Sequence, residues 1–282
     1  MSQGKVITAA IARVENGGMQ TREDLLAVEA PLEIRLGFGP ADHRVQKSIL
    51  VTMRTPGNDF ELATGFLYNE NIIQNRDDIY SIQHCTDIGR QSNPENIVRA
   101  ELTPEIKVNL KALERHFYAT SSCGVCGKAS IDAVQVANCP VLPPGAPTVP
   151  IPLIHGLITR LQKKQTAFRH TGGLHAAALF DRAGNLLIIR EDVGRHNAVD
   201  KLIGTACYKN MIPLSDAIVL VSGRASFELV QKILRAGAPV MVAVGAPSSL
   251  AVELAQTFGL TLIGFLRDKR FNIYAGKERI EC

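Results

Sequence analysis

The sequence predicts an α+β protein in two unlike halves, an N-terminal α+β roll followed by a C-terminal α/β domain. Three observations carry this. Residues 26–54 hold two apolar runs of period two separated by a Gly/Pro turn. Residues 217–264 alternate short β-branched runs with helix-period runs, with glycine marking the joins. Between the halves, residues 139–152 contain six of the chain's 14 prolines. That density favours extended polyproline backbone over helix or central strand. We therefore expect residues 1–138 to form the roll with a Cys-x-x-Cys loop and its helix. Residues 139–152 are the connector and 153–282 the second domain. A chain of 282 residues is long enough for two cores.

Composition narrows the function classes. With 46% hydrophobic and 21% charged residues, the chain reads as a soluble globular protein. A net charge of +4 favours an anionic ligand but falls short of a surface that coats nucleic acid. No apolar run reaches 18 residues, so no membrane span is expected. The Val6–Ala12 run closes on Arg13 and reads as an early strand or frayed segment, not a secretory signal. Six cysteines are too few for a disulfide scaffold and fit a reducing cytoplasm.

In the first half, Ala30–Leu36 and Lys47–Met53 flank Gly37-Phe38-Gly39-Pro40 and a polar stretch, which predicts a hairpin with one buried face. Pro56-Gly57-Asn58-Asp59 stops the second strand, with Asp59 as the expected N-cap of a helix over Phe60–Asn69. Strands follow at Ile79–Cys85 and Asn96–Leu102, then a charged amphipathic turn of helix at Leu110–Tyr118. In the second half, Ile154–Lys163 is helical, and His175–Phe180 with Leu186–Arg190 form a hairpin around Gly184. A helix starting at Asp192-Val193-Gly194 is expected to stop at Gly204. Strands Ala217–Val221, Val240–Val244 and Leu260–Gly264 then alternate with two helices that end at Gly237 and Gly259. This order calls for a parallel sheet.

Chemistry concentrates at Thr120-Ser121-Ser122-Cys123-Gly124-Val125-Cys126-Gly127. Two thiols three positions apart sit among residues of little bulk, just before a helical run over Lys128–Ala137. Unpaired N–H groups and the positive end of a helix dipole favour thiolate over thiol. Lowering a pKa of ~8.5 by ~2 units would turn a minor thiolate population into the major one. Three readings stand. A structural zinc site needs a second Cys pair, but Cys85, Cys139, Cys207 and Cys282 stand singly. A thioredoxin-like dithiol wants a strand before the motif, and a polar segment precedes it here. The third is a nucleophile that carries sulfur as a persulfide. Cys139, beside Pro140, reads as packing.

Ligands of doubly wound sheets gather beyond the strand carboxyl ends. Ser222-Gly223-Arg224-Ala225-Ser226 offers hydroxyls, a guanidinium and helix N–H groups. Gly245 and Ser248-Ser249 repeat the offer without charge. Phe265-Leu266-Arg267-Asp268-Lys269-Arg270 places three cations on an expected loop, either a phosphate site or a solvated basic turn. His196 reads as a base or, more simply, as a helix-start residue satisfied by Glu191 or Asp192. His175 invites comparison with zinc deaminases, but Ala177 stands where their glutamate would be and the Cys pair lies upstream.

Four segments occur in one order: Ser122–Gly127, Thr171-Gly172-Gly173-Leu174-His175-Ala176-Ala177, Glu191–Leu202 and Ser222–Lys232. Together they make a chain that resembles the FdhD family, the formate dehydrogenase accessory sulfurtransferases, from about Glu29 to Tyr274. The resemblance implies a cytoplasmic homodimeric sulfur carrier. It would take sulfur from a cysteine desulfurase and pass it to the molybdenum (or tungsten) bis-guanine-dinucleotide cofactor before insertion into the formate dehydrogenase catalytic subunit. It implies Cys123 as persulfide carrier, Cys126 as supporting thiol, and Phe265, Leu266, Arg267, Asp268, Lys269 and Arg270 as the cofactor-binding segment. It implies no resident metal and a cytidine-deaminase-like three-layer second domain. A delivery chaperone that binds the cofactor without covalent transfer is the alternative.

Overall fold

The computed structural model describes residues 4–85, 93–108 and 139–281. The Cys123/Cys126 loop, the Leu110–Tyr118 turn and the Lys128–Ala137 run lie outside them.

The expected hairpin in the first half is present. Strands β3 (Ala30–Phe38) and β4 (Val45–Arg54) pair antiparallel. With β5 (Ile79–His84) and β6 (Ile97–Leu102) they make a four-stranded sheet in the order β4-β3-β6-β5. Leu32, Ile34 and Leu36 alternate inward and are fully buried, and helix α1 (Asp59–Asn69) lays Leu62, Phe66 and Leu67 into the same core. Each such side chain contributes about 1.5–3 kcal/mol through burial. Before this sheet comes a ribbon of β1 (Val6–Glu15) and β2 (Gly18–Ala27). The early strand is therefore real and longer than its apolar run.

Asp59 is not the N-cap. Asn58 holds that position at φ 59°, and Asp59 turns inward to Arg54, whose Nε and Nη2 donate to its two carboxylate oxygens at 3.1 and 3.0 Å. A buried guanidinium needs a carboxylate more than the helix needs a cap.

The second half is a six-stranded sheet in the order β13-β12-β11-β10-β8-β9. Strands β10 (Ala217–Val221), β11 (Val240–Ala243) and β12 (Thr261–Arg267) run parallel, as the alternation required. The hairpin β8 (His175–Asp181) and β9 (Leu186–Asp192) adds antiparallel strands on one side. Strand β13 (Arg270–Ala275) adds one on the other. Helices cover both faces. Helix α2 (Ile151–Lys164) packs Ile154, Leu157, Ile158 and Leu161 against Ala178, Phe180, Ile218 and Leu220. The opposite face, with Leu179, Val219 and Met241, joins α4 (Arg195–Tyr208), α5 (Phe227–Arg235) and α6 (Ser249–Phe258). A short helix α3 (Thr166–Thr171) links α2 to β8.

Gly204 does not end its helix, which runs on to Tyr208. Its role is close approach, because α4 crosses α1 there. A methyl on Gly204 would overlap the Glu61 carbonyl, and one on Gly65 the Asp200 carbonyl. The first-half core thus continues into the second without a break.

The proline-rich segment is also more structured than an extended linker. Val149–Pro150 forms β7, parallel to β14 (Ile280–Glu281), and Pro152 already lies in the first turn of α2, where a missing N–H costs nothing. Prolines leave a segment rich in carbonyls and poor in donors. Fully buried Arg279 supplies the donors, reaching the carbonyls of Pro143, Ala146 (2.9 Å) and Gly259 (2.8 Å).

Candidate functional site

Strands β10, β11 and β12 end at one surface, and their loops are joined by a backbone ladder that continues past the sheet. Gly245 N donates to Gly223 O at 2.9 Å, Ala225 N to Ala246 O at 3.1 Å, Ser248 N to Ala225 O at 3.0 Å and Phe265 N to Gly245 O at 3.1 Å. These bonds turn three loops into one stiff floor. Gly245 is required at its centre, because a Cβ would press on the backbone of Arg224.

Cations ring this floor. Arg224 is exposed on the first loop. Arg267 Nη1 donates to the carbonyls of Val244 and Leu266, each at 2.8 Å, which lays its guanidinium over the end of β11. Among the described residues neither arginine, nor Lys269 or Arg270, pairs with a carboxylate. The segment is no open loop, however. Phe265, Leu266 and Arg267 finish β12, Asp268 and Lys269 form a tight turn, and Arg270 opens β13. Leu266 is fully buried in the core facing α2, so its side chain points away from the surface. Phe265 is 37% exposed at φ 54°, beside an irregularity in the β12/β13 register. An exposed ring beside unpaired cations suits a flat, anionic ligand.

The polar stretch after β9 divides in two. Asp192 is wholly buried and belongs to the framework. It accepts from Lys201 Nζ at 2.7 Å, Gly194 N at 2.8 Å, Asn197 Nδ2 at 3.1 Å and Thr55 N at 3.2 Å. The other part faces the strand ends. His196 Nε2 lies 2.9 Å from Glu228 Oε2 on α5, not against Glu191 or Asp192 as the sequence suggested. Glu191 instead accepts from Phe168 N at 3.0 Å, and Asp192 is saturated by its own four donors. The His175 imidazole lies beside Gly223, with the Arg195 side chain also alongside that glycine. Burial foremost, then the charges of Arg195 and His196, hold the His175 pKa below its usual 6.5 against the pull of Asp192. Its imidazole is therefore neutral at pH 7 and can accept or donate one hydrogen bond.

Two of the described cysteines, Cys139 and Cys207, are poor nucleophiles. Burial pushes the Cys139 thiol up to about 11 and the Cys207 thiol up to about 12. Cys139 Sγ faces the Gln231 carbonyl at 3.7 Å, and Cys85 is buried. Among the described residues no cluster of three or more His, Cys, Asp or Glu could hold a metal ion, and no helix is long and apolar enough to cross a membrane.

Two partners were missed at the sequence level, Glu228 for His196 and Thr55 for Asp192. Both lie far away in sequence, and only the packing of α5 and α1 beside α4 brings them close.

These features define a mixed α+β protein with a basic strand-end surface. Its fold is similar to the crystal structure of a formate dehydrogenase accessory protein from Desulfotalea psychrophila, at TM-score 0.74 and 24% identity, covering 99% of this chain and 100% of that one. The family model described as FdhD/NarQ matches residues 27–281, and the chain belongs to that family. It is 48% identical over 272 residues to the sulfur carrier protein FdhD of Streptomyces coelicolor, covering 96% of this chain and 94% of that one. It is 41% identical over 270 residues to the sulfur carrier protein FdhD of Sulfurisphaera tokodaii, covering 96% and 97%.

Proposed function

We propose that this protein is a cytoplasmic, homodimeric sulfur carrier for formate dehydrogenase. Cys123 accepts sulfur from a cysteine desulfurase as a persulfide and delivers it to the molybdenum (or tungsten) bis-guanine-dinucleotide cofactor, which is then inserted into the dehydrogenase catalytic subunit. The observation that carries this is the 48% identity to a named sulfur carrier across nearly the whole chain. The thiols support it, because Cys139 and Cys207 are held protonated, whereas the glycine-flanked pair precedes a run whose sequence pattern predicts a helix.

Chemically, the Cys123 thiolate attacks the sulfane sulfur of the donor persulfide, and the donor cysteine leaves as thiolate. Release of that sulfur as sulfide leaves two oxidising equivalents behind. Cys126, three residues away, can absorb them by closing a disulfide, which cellular thiols later reduce. The cofactor is the substrate, and its anionic dinucleotide fits the ring of Arg224, Arg267, Lys269 and Arg270 with Phe265 beside it. Asp268 belongs to the turn that spaces these cations. Leu266 anchors the strand from inside, so the cofactor meets its backbone. We further read the helix–sheet–helix layering as the cytidine-deaminase-like architecture, without deaminase chemistry.

The test is complementation. In a host lacking its own carrier, this protein should restore formate dehydrogenase activity and Cys123→Ala should not. Restoration by Cys123→Ala, with loss in Arg267→Ala/Arg270→Ala, would instead favour a delivery chaperone without covalent transfer.

A further inference from the structure

The strand-end surface carries a second polar region beyond the ring of Arg224, Arg267, Lys269 and Arg270. The strand order β13-β12-β11-β10-β8-β9 sets the loops in a row. Phe265, Arg267, Lys269 and Arg270 stand at the β12/β13 end, and His175, Arg195 and His196 at the β8/β9 end. Three strand spacings separate β12 from β8, about 14 Å, too wide for one diphosphate to bridge. Between them lies the stiff floor of Gly223, Ala225 and Gly245. Glycine backbone lets a flat ligand approach closely. The second region differs in kind. Arg267, Lys269 and Arg270 are exposed, whereas His175, Arg195 and His196 are half-buried. A Cβ on Gly223 would meet His175 Nδ1 at 3.4 Å and Arg195 Cδ at 3.9 Å, so both side chains flank that glycine. Among the described residues Arg195 makes no ion pair. Its Nε, like the Ser226 hydroxyl three residues on from Gly223, is shielded and has no hydrogen-bond partner in the chain. Shielded polar groups are normally satisfied, so this corner holds polar capacity that the chain itself does not use.

We propose that the nucleotide end of the cofactor lies at Phe265–Arg270 and that its metal–dithiolene end, which accepts the sulfur, lies between His175 and Arg195. Hydration decides the orientation. A diphosphate is compact, highly charged and strongly hydrated, and it suits the exposed cations. The dithiolene end spreads its charge over large sulfur atoms and gives up less hydration on entering a half-buried corner. A guanidinium is itself more weakly hydrated than an ammonium, so Arg195 is the cation matched to that end. The His175 imidazole, neutral at pH 7, adds a hydrogen bond without adding charge. The orientation rests on the proposed function and adds which end of the ligand lies where.

Three readouts on the full chain test it: GDP affinity by calorimetry, sulfur loaded on Cys123 by mass, and formate dehydrogenase activity restored in a host lacking its own carrier. Arg195→Ala should lower restored activity at least about tenfold, and His175→Ala about fivefold. Their GDP affinity should stay within about twofold of wild type, because the two regions are too far apart to couple. Their Cys123 loading should be unchanged. Arg182→Ala, in the exposed turn at the far end of the β8/β9 hairpin, should alter none of the three. If the His175 variant melts early, Gly223→Ala takes its place. Its methyl would sit in ordinary contact with His175 Nδ1 at 3.4 Å, which the fold tolerates, yet it narrows the gap between His175 and Arg195. Full restored activity in the variants, lost Cys123 loading, or a GDP loss matching that of Arg267→Ala would overturn the orientation and leave the sulfur-carrier reading standing. A wild type that loads no sulfur and restores no activity would overturn both.

Discussion

Lys201 Nζ lies 2.7 Å from Asp192 Oδ2, and the two side chains are 1% and 0% exposed. The same ammonium donates to the Thr55 carbonyl at 2.7 Å, while Thr55 N donates to Asp192 and Thr55 Oγ1 accepts from Val193 N at 3.1 Å. One buried ion pair therefore fastens the end of β4 to the start of α4, just beneath the segment that presents Arg195 and His196. Burial, the largest influence, lowers the Lys201 pKa, and Asp192 opposes it. Removing one partner should strand the other charge at a cost of about 3–5 kcal/mol. We expect Lys201→Met to lose that much in urea denaturation, and Lys201→Met/Asp192→Asn to lose less than Lys201→Met alone. A single variant within experimental error of wild type would contradict this.

The α1/α4 crossing separates two kinds of glycine. At Gly204 a methyl meets backbone that cannot swing aside, so Gly204→Ala should destabilise by about 2–3 kcal/mol despite alanine's better helix propensity. Gly156, inside α2, has its nearest would-be neighbour at 3.7 Å, on the flexible Arg160 side chain. Gly156→Ala should stabilise by about 0.5–1 kcal/mol. Equal shifts at the two sites would refute the packing argument.

His175 gives a pH signature. Its folded pKa lies below 6.5, so between that value and 6.5 the unfolded chain binds more protons than the folded one. The stabilisation is complete above pH 6.5 and is lost as pH falls through the folded pKa. Arg195, His196 and Asp192 are the charged groups that face it. Proton NMR should place its midpoint below 6.5, and His175→Gln should flatten that part of the acid stability profile. A midpoint at or above 6.5 would be inconsistent with the buried setting.

Guanine nucleotide should bind at the strand-end surface. Arg267 is held by two carbonyls and therefore loses little freedom on binding. A charge-assisted hydrogen bond is worth about 1.5–3 kcal/mol, so Arg267→Ala should weaken GDP roughly ten- to a hundredfold by calorimetry. Added salt should weaken it further. No heat from the wild type would remove this part of the account.

Much of the architecture was legible because periodicity and glycine speak directly. The Ala30–Met53 hairpin and the three parallel strands follow from alternation and from glycines at helix ends such as Gly237 and Gly259, both at positive φ. Gly204 misled because a glycine needed for helix contact looks the same as one that ends a helix. Strand β2 was missed although Asn16-Gly17, a strong hairpin turn signal, stands before it, because its own residues are mostly polar. The basic segment Phe265–Arg270 was seen, but β13 was not. The site partners Glu228 and Thr55 lie beyond any local pattern, since tertiary contact alone selects them.

The most direct measurement is the intact mass of the protein after incubation with a cysteine desulfurase and cysteine, followed by peptide mapping with and without reductant. The account predicts a reductant-labile gain of one sulfur at Cys123, with none on Cys139 or Cys207 and none in Cys123→Ala. Sulfur mapping elsewhere, or no gain at all, would contradict it.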